Sequence, residues 1–171
     1  MFSAEVLIPK TRVAVVIGKK GSTKRSLEKY TRTKLKIGKE GDVFIIGEDN
    51  LDVFIATSVI RAVGRGFNPD IARLLLNDEY TFEVINIKDF TKGSERKLER
   101  LKSRLIGTKG GARHNIEKNT GTNISIFGKT VAIIGKYEQA ILAKNAVEKL
   151  LKGSPHGNVY KYISDYKKRF R

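Results

Sequence analysis

The chain has 171 residues, no cysteine, two histidines and a formal net charge of +16. Without cysteine, disulfides, thiolate zinc sites and cysteine nucleophiles are excluded, and His114 and His156 alone cannot build a zinc centre; no metal or cofactor is expected. No apolar run approaches the roughly 18 residues of a membrane span, and Met1 to Val6 lacks the basic and apolar regions of a signal peptide, so a soluble, cytoplasmic protein with no membrane association is expected.

Such a charge draws polyanions, nucleic acid first among them. A thermophile's charged surface is the plainer account, but such surfaces tend to mix both signs in ion-pair networks. Here the excess is uneven: residues 1–78 carry 14 basic and 9 acidic side chains (+5), residues 79–171 carry 20 and 9 (+11). The second half is therefore the stronger expected polyanion binder.

In chain order, Glu5 to Ile8 predicts a strand, Arg12 to Ile17 a short helix, and Ser22 to Tyr30 a second helix with Leu27 inward. Leu35 and Ile37 alternate in a strand over Thr33 to Ile37, and Val43 to Ile46 pairs with it across a glycine-containing turn. Leu51 to Val63 reads as a longer helix with Asp49 or Asn50 as N-cap. Asn68-Pro69 then opens a short helix through Leu76, and the run Leu74 to Leu76 predicts that this linker is packed.

The order then repeats: a strand over Tyr80 to Ile87, a helix from the cap Ser94 to Ile106, and a helix over Gly111 to Asn119 with Ile116 inward. Strands follow around Ile124 and Ile126 and over Val131 to Ile134, then a helix over Glu138 to Leu151. Sliding the chain against itself by 89 positions gives 8 identities in the 18 positions from Ile17 to Lys34, where unrelated segments give about one. The chain is a tandem duplication. Expected limits are 1–67 and 79–153 for the two copies, with 68–78 as linker and 154–171 as a basic amphipathic helix carrying Val159, Tyr162, Ile163, Tyr166 and Phe170 at helical spacing. Lys167, Lys168, Arg169 and Arg171 make its end basic, through either a solvated charge cluster or a direct contact with nucleic acid.

Each copy breaks between its first two helices at a glycine pair, Ile17-Gly18-Lys19-Lys20-Gly21 and Ile106-Gly107-Thr108-Lys109-Gly110. Glycine lets a backbone turn sharply and lets a sugar-phosphate chain approach closely. The helix that follows offers free N–H groups and a dipole to an anion, and Lys19, Lys20 and Lys24, or Lys109 and Arg113, add positive charge. Ile17 and Leu27, or Ile106 and Ile116, are expected to floor a groove too narrow for a duplex. Arg25 and His114 hold equivalent positions in the second helix, as exposed side chains or as nucleic-acid contacts. Glu28 and Glu117 read as ion-pair partners, Glu28 for Arg32 and Glu117 for Arg113 or Lys118.

A helix, an Ile-Gly-x-x-Gly turn, a second helix and a strand with two alternating apolar positions, present twice, resemble the K homology (KH) domain. The resemblance implies an α+β fold of two tandem type I units, each βααββα with a three-stranded sheet backed by helices. It also implies that the glycine loop clamps about four nucleotides of single-stranded RNA. RNA-binding residues are then expected at Ile17, Gly18, Lys19, Lys20, Gly21 and Lys24, and at Ile106, Gly107, Thr108, Lys109, Gly110, Arg113 and His114.

The stretches Gly110 to Arg113, Asn115 to Thr120, Val131 to Gly135 and above all Gly153 to Tyr160 resemble more narrowly the small-subunit ribosome-assembly factors known as partners of the Nob endonuclease. In eukaryotic relatives the first unit lacks its glycine loop, whereas Gly18 to Gly21 is intact here, as fits an archaeal form. That resemblance implies binding near the 3′ end of small-subunit rRNA, cooperation with a Nob-type endonuclease, and association with the α subunit of translation initiation factor two.

Other classes fit less well. Gly128-Lys129-Thr130 mimics the end of a P-loop, but the glycine required five residues earlier is Asn123. There is no histidine-based triad, metal-ligand cluster or matched carboxylate pair, so no enzyme is expected. Binding on an open sheet would need aromatic residues on central strands, and Ile, Val and Lys are expected there instead. A scaffold role for the less basic first copy, with only the second binding RNA, is the main alternative.

Overall fold

The computed structural model describes residues 1–170; Arg171, named above in the basic end of the last helix, lies outside the described residues. The chain divides into two units, Met1–Asp78 and Glu79–Arg171.

In the first unit, β1 (Phe2–Leu7) leads through a 3-10 turn into α1 (Val13–Ile17), then α2 (Ser22–Thr31), β2 (Thr33–Ile37), β3 (Asp42–Gly47) and α3 (Asn50–Gly64). A short α4 (Pro69–Ala72) and a 3-10 turn close it. The sheet is antiparallel with order β1-β3-β2, so the last strand in sequence is the central one. Alternation explains which face is inside: Val6, Leu35, Val43 and Ile45 are buried, and Val53, Ala56, Val59, Ile60 and Val63 of α3 are buried with them. Asp49 caps α3, accepting from the Leu51 N–H at 2.8 Å, and Asn68 caps α4 from the Asp70 N–H at 2.8 Å. Of the three leucines that follow, Leu75 is buried and Leu74 and Leu76 are half-buried.

The second unit repeats the plan: β4 (Tyr80–Asn86), α5 (Glu95–Ile106), α6 (Gly111–Thr120), β5 (Asn123–Phe127), β6 (Thr130–Lys136) and α7 (Tyr137–Leu151), with sheet order β4-β6-β5. Ser94 caps α5 through the Lys97 N–H at 3.1 Å. α8 (His156–Arg169) follows Pro155 and buries Val159 and Ile163 in the core of this unit.

Each unit ties down the end of its third long helix with an arginine. Arg12 donates to the Val63 and Phe67 carbonyls at 2.8 and 2.9 Å, and Arg104 to the Leu150 and Ser154 carbonyls at 2.6 and 2.8 Å. In each case one carbonyl belongs to the last turn of the helix and the other lies three residues beyond its end, so the arginine fastens the segment that follows to the helix. Partial burial holds the Arg12 guanidinium below its ordinary pKa.

The first sheet differs from expectation at one position. Phe44, on the central strand β3, is 42% exposed, opposite Glu5 and Lys36. It alternates with Val43 and Ile45, so it must point away from the core they fill.

Candidate nucleic-acid interface

The two glycine loops are one conformation written twice. α1 ends where the Gly18 N–H donates to the Ala14 carbonyl at 2.9 Å, and α5 where the Gly107 N–H donates to the Ser103 carbonyl at 2.9 Å. Gly18 has φ 73°, ψ 175° and Gly107 has φ 75°, ψ 175°, a region open essentially to glycine alone. Space is also short: a Cβ on Gly18 would run into the Thr23 side chain, and one on Gly107 would lie 2.6 Å from the Ala112 nitrogen.

The chain then passes through left-handed residues, Lys20 (φ 55°) and Gly21 (φ 76°) in one loop, Lys109 (φ 55°) and Gly110 (φ 75°) in the other. A lysine in that region carries local strain of order 1 kcal/mol or more. In return the loop presents Lys19 and Lys20, or Thr108 and Lys109, to solvent. Among the described residues, Lys19, Lys20, Lys24 and Lys109 form no ion pair. No side chain caps the start of α2 or α6, so their first N–H groups stay available to an anion.

The second helices use equivalent positions differently. Arg25 donates to the Lys20 carbonyl at 2.8 Å and braces the first loop, whereas His114 is exposed, with Nδ1 4.0 Å from Glu117 Oε1. Arg113 donates to Glu117 Oε1 at 2.7 Å, so its guanidinium is held against α6, while the exposed Lys109 forms no ion pair with a described carboxylate.

The apolar residues beside the loops divide into two kinds. Ile17 is half-buried and Ile106 is 37% exposed, so both contribute an apolar rim to the loop. Leu27 (0%) and Ile116 (1%) are wholly inside. The expected groove floor is corrected on this point: both sit on the helix face turned to the sheet and belong to the core.

Of the repeated glutamates, Glu117 pairs with Arg113 as helical spacing predicts, and the expectation for Glu28 is corrected. Arg32 pairs with Asp52 at 3.1 Å, not with Glu28. Glu28 Oε2 instead accepts from the Leu35 N–H at 2.9 Å, and Glu117 Oε2 accepts from the Ile124 N–H at 2.8 Å. Each carboxylate thus fastens its helix to the strand beyond it.

The repeated threonines, missed as structural elements by sequence reasoning, do similar work. Thr31 donates to the Leu27 carbonyl at 2.6 Å and meets Thr33 at 2.7 Å; Thr120 donates to the Ile116 carbonyl at 2.6 Å and meets Thr122 at 2.8 Å. The signal was present in their identity between the copies. Glu117→Gln is expected to lower stability by about 1 to 2 kcal/mol, because a charged acceptor is lost at a part-buried N–H; the urea midpoint reads this out, and an unchanged midpoint would deny the fastening role.

Comparison with known proteins agrees with this geometry. A family model described as the eukaryotic type KH domain (KH-domain type I) matches residues 81–168, and one described as KH domain matches residues 3–62. A KH domain-containing protein of Methanocaldococcus jannaschii is 46% identical over 174 residues, covering 99% of this chain and 76% of that protein. The pre-rRNA-processing protein pno1 of Aspergillus oryzae is 35% identical over 119 residues, 65% of this chain; the match spans 45% of that protein's length. Among solved structures, Dim2p from Pyrococcus horikoshii matches with a TM-score of 0.90 and 45% identity, covering 96% of this chain and 99% of that one. A chain in a crystal structure of an a/eIF2alpha-aDim2p-rRNA complex from the same organism matches with a TM-score of 0.92 and 46% identity, covering 98% and 95%. Two matched loops in two βααββα units, with relatives over nearly the whole chain, have one meaning: the chain belongs to the KH-domain family, as a tandem type I protein of the Pno1/Dim2 group.

Proposed function

We propose that the protein is a non-catalytic RNA-binding factor that holds single-stranded RNA at both glycine loops and acts on the 3′-end region of small-subunit rRNA during ribosome assembly. The observation that carries the reading is the pair of loops with the same dihedrals, uncapped helix starts and unpaired lysines. The names of the relatives, pre-rRNA-processing protein and RNA-binding protein, support the process, and the rRNA complex of the Pyrococcus protein supports the ligand.

In this reading residues 1–67 and 79–153 are the two RNA-binding domains, joined by 68–78 and followed by the helix of 154–171. Ile17, Gly18, Lys19, Lys20, Gly21 and Lys24 serve one clamp; Ile106, Gly107, Thr108, Lys109, Gly110, Arg113 and His114 serve the other. The α subunit of translation initiation factor two is the proposed protein partner, after the Pyrococcus complex, and a Nob-type endonuclease is the proposed enzyme that works beside it. The protein acts in the cytoplasm; among the described residues no helix is long and apolar enough to cross a membrane.

A second reading, in which the first unit is a protein-binding scaffold, is favoured by its lower charge and by Leu51 and Phe54, which stand 61% and 68% exposed on α3. One titration separates the two. A fluorescent strand from the 3′ end of small-subunit rRNA is mixed with wild type, with Lys19→Asp/Lys20→Asp and with Thr108→Asp/Lys109→Asp, beside a scrambled strand and a duplex. Two working clamps neutralise roughly 6 to 8 phosphates, giving a salt slope of about −4 to −6. Each reversal is then expected to weaken binding about tenfold. A loss from the second reversal alone makes the first unit a scaffold, and equal binding of every nucleic acid by all three proteins removes the clamp model.

A further inference from the structure

We propose that the groove between α6 and α8 is a second RNA subsite in the second unit, which takes the backbone of nucleotides continuing past the Gly107 to Gly110 loop; this rests on the reading of that loop as an RNA clamp. α8 lies outside the βααββα plan. It buries Val159 (0%) and Ile163 (1%), and between it and α6 lies a cleft of about 360 Å³ lined by Asn115, Asn119, Tyr160, Ser164, Lys167 and Lys168. Tyr160 also lines a second cleft together with Gly107, Thr108 and Gly111. One aromatic side chain therefore joins the glycine loop to the basic end of α8. From Gly111 to Asn119 the helix climbs about 12 Å, room for roughly two or three further phosphates.

The groups in this groove suit a single strand. Asn119 Nδ2 donates to the Asn115 carbonyl at 2.9 Å and to Asn115 Oδ1 at 3.1 Å. That leaves the Asn115 amino group and the Asn119 side-chain oxygen for a ligand's 2′-hydroxyl or base edge. The Tyr160 ring, 6.2 Å from the His156 ring, offers a face on which a base can stack. Lys167 and Lys168 form no ion pair with a described carboxylate, and Asp165 is the sole acidic residue on α8.

Basic residues in a last helical turn also complement the helix dipole, an effect of about 0.3 to 1 kcal/mol. That accounts for the charge at the end of α8. It does not account for two amides, a hydroxyl and a tyrosine lining the same cleft and leading back to the loop.

The test uses the full chain, the variant Lys167→Gln/Lys168→Gln, and a charge-matched control, Lys88→Gln/Lys92→Gln, on exposed residues elsewhere in the same unit. Each is titrated with a labelled single-stranded RNA of about 12 nucleotides and with one of about four, enough to fill one clamp. The α8 variant is expected to lose about tenfold in affinity for the longer strand and about 1.4 from the salt slope, to bind the short strand as wild type does, and to melt within a few degrees of wild type, the shift that loss of the helix-dipole contribution allows. The control is expected to match wild type throughout.

Unchanged binding of the longer strand by the α8 variant would overturn the subsite. So would an equal loss from the control, which would mark a general field, or an equal loss on the short strand. Failure of wild type to bind either strand would instead remove the clamp reading itself, and the subsite with it.

Discussion

Gly107→Ala is expected to lower the stability of the second unit by about 3 kcal/mol and to abolish its share of RNA binding. Two costs combine. The φ 75°, ψ 175° conformation adds strain of order 1 to 3 kcal/mol for any residue with a Cβ. The new atom would also sit 2.6 Å from the Ala112 nitrogen and 2.8 Å from its Cβ, at the first turn of α6, where no flexible tip can swing away. The second glycine of the same loop is a sharp contrast. Gly110 has φ 75°, ψ 13°, the left-handed helical region that asparagine visits, and a Cβ there would meet only Arg113 Nη2 at 3.9 Å. Gly110→Asn is therefore expected to cost no more than about 1 kcal/mol. Urea unfolding of the two variants side by side checks the difference, and equal losses would mean that the first glycine is not the position that sets the loop.

Leu27→Ala should separate core from interface. Its side chain is 0% exposed, so truncation removes buried surface and leaves a cavity, a loss of about 3 kcal/mol within the usual range for buried leucines. Ile17→Ala, at the half-buried rim of the glycine loop, is expected to cost less than about 1.5 kcal/mol while weakening RNA. Unfolding and RNA titration on the same preparations give both readouts. If Leu27→Ala kept wild-type stability and weakened RNA, Leu27 would line the groove after all.

Much of this arrangement is legible in residue type and spacing. The second helix of each copy was readable because its glycines, apolar period and start lie close together in sequence. Asp49, Asn68 and Ser94 cap the helices they precede, since a cap needs only its own side chain and an N–H two or three residues on. The aromatic content of the first sheet was misjudged because Phe44 sits among apolar residues that alternate to the other face. Composition within a strand does not say which parity is buried until its partners are known.

The repeated identities show where local reading stops. Glu28, Glu117 and the threonine pairs were visible as matches between the copies, yet helical spacing suggested Arg32 for Glu28, while the actual partner is a strand N–H seven residues away. Arg113, by contrast, was grouped with the phosphate-facing cations by charge and matched with Glu117 by spacing, and the ion pair with Glu117 forms at 2.7 Å.

The duplication, the βααββα order, the positions of the two glycine loops and the basic character of the second half are all readable from the chain alone. Those features follow from residue type and short-range spacing, through φ freedom, capping and apolar period. Packing sets which residues beside the loops are rim and which are core, which cations form no ion pair among the described residues, and that α8 lies along α6 to form a groove leading from the loop. Those outcomes depend on which atoms distant segments bring within hydrogen-bond or van der Waals range, and spacing along one chain does not encode that distance.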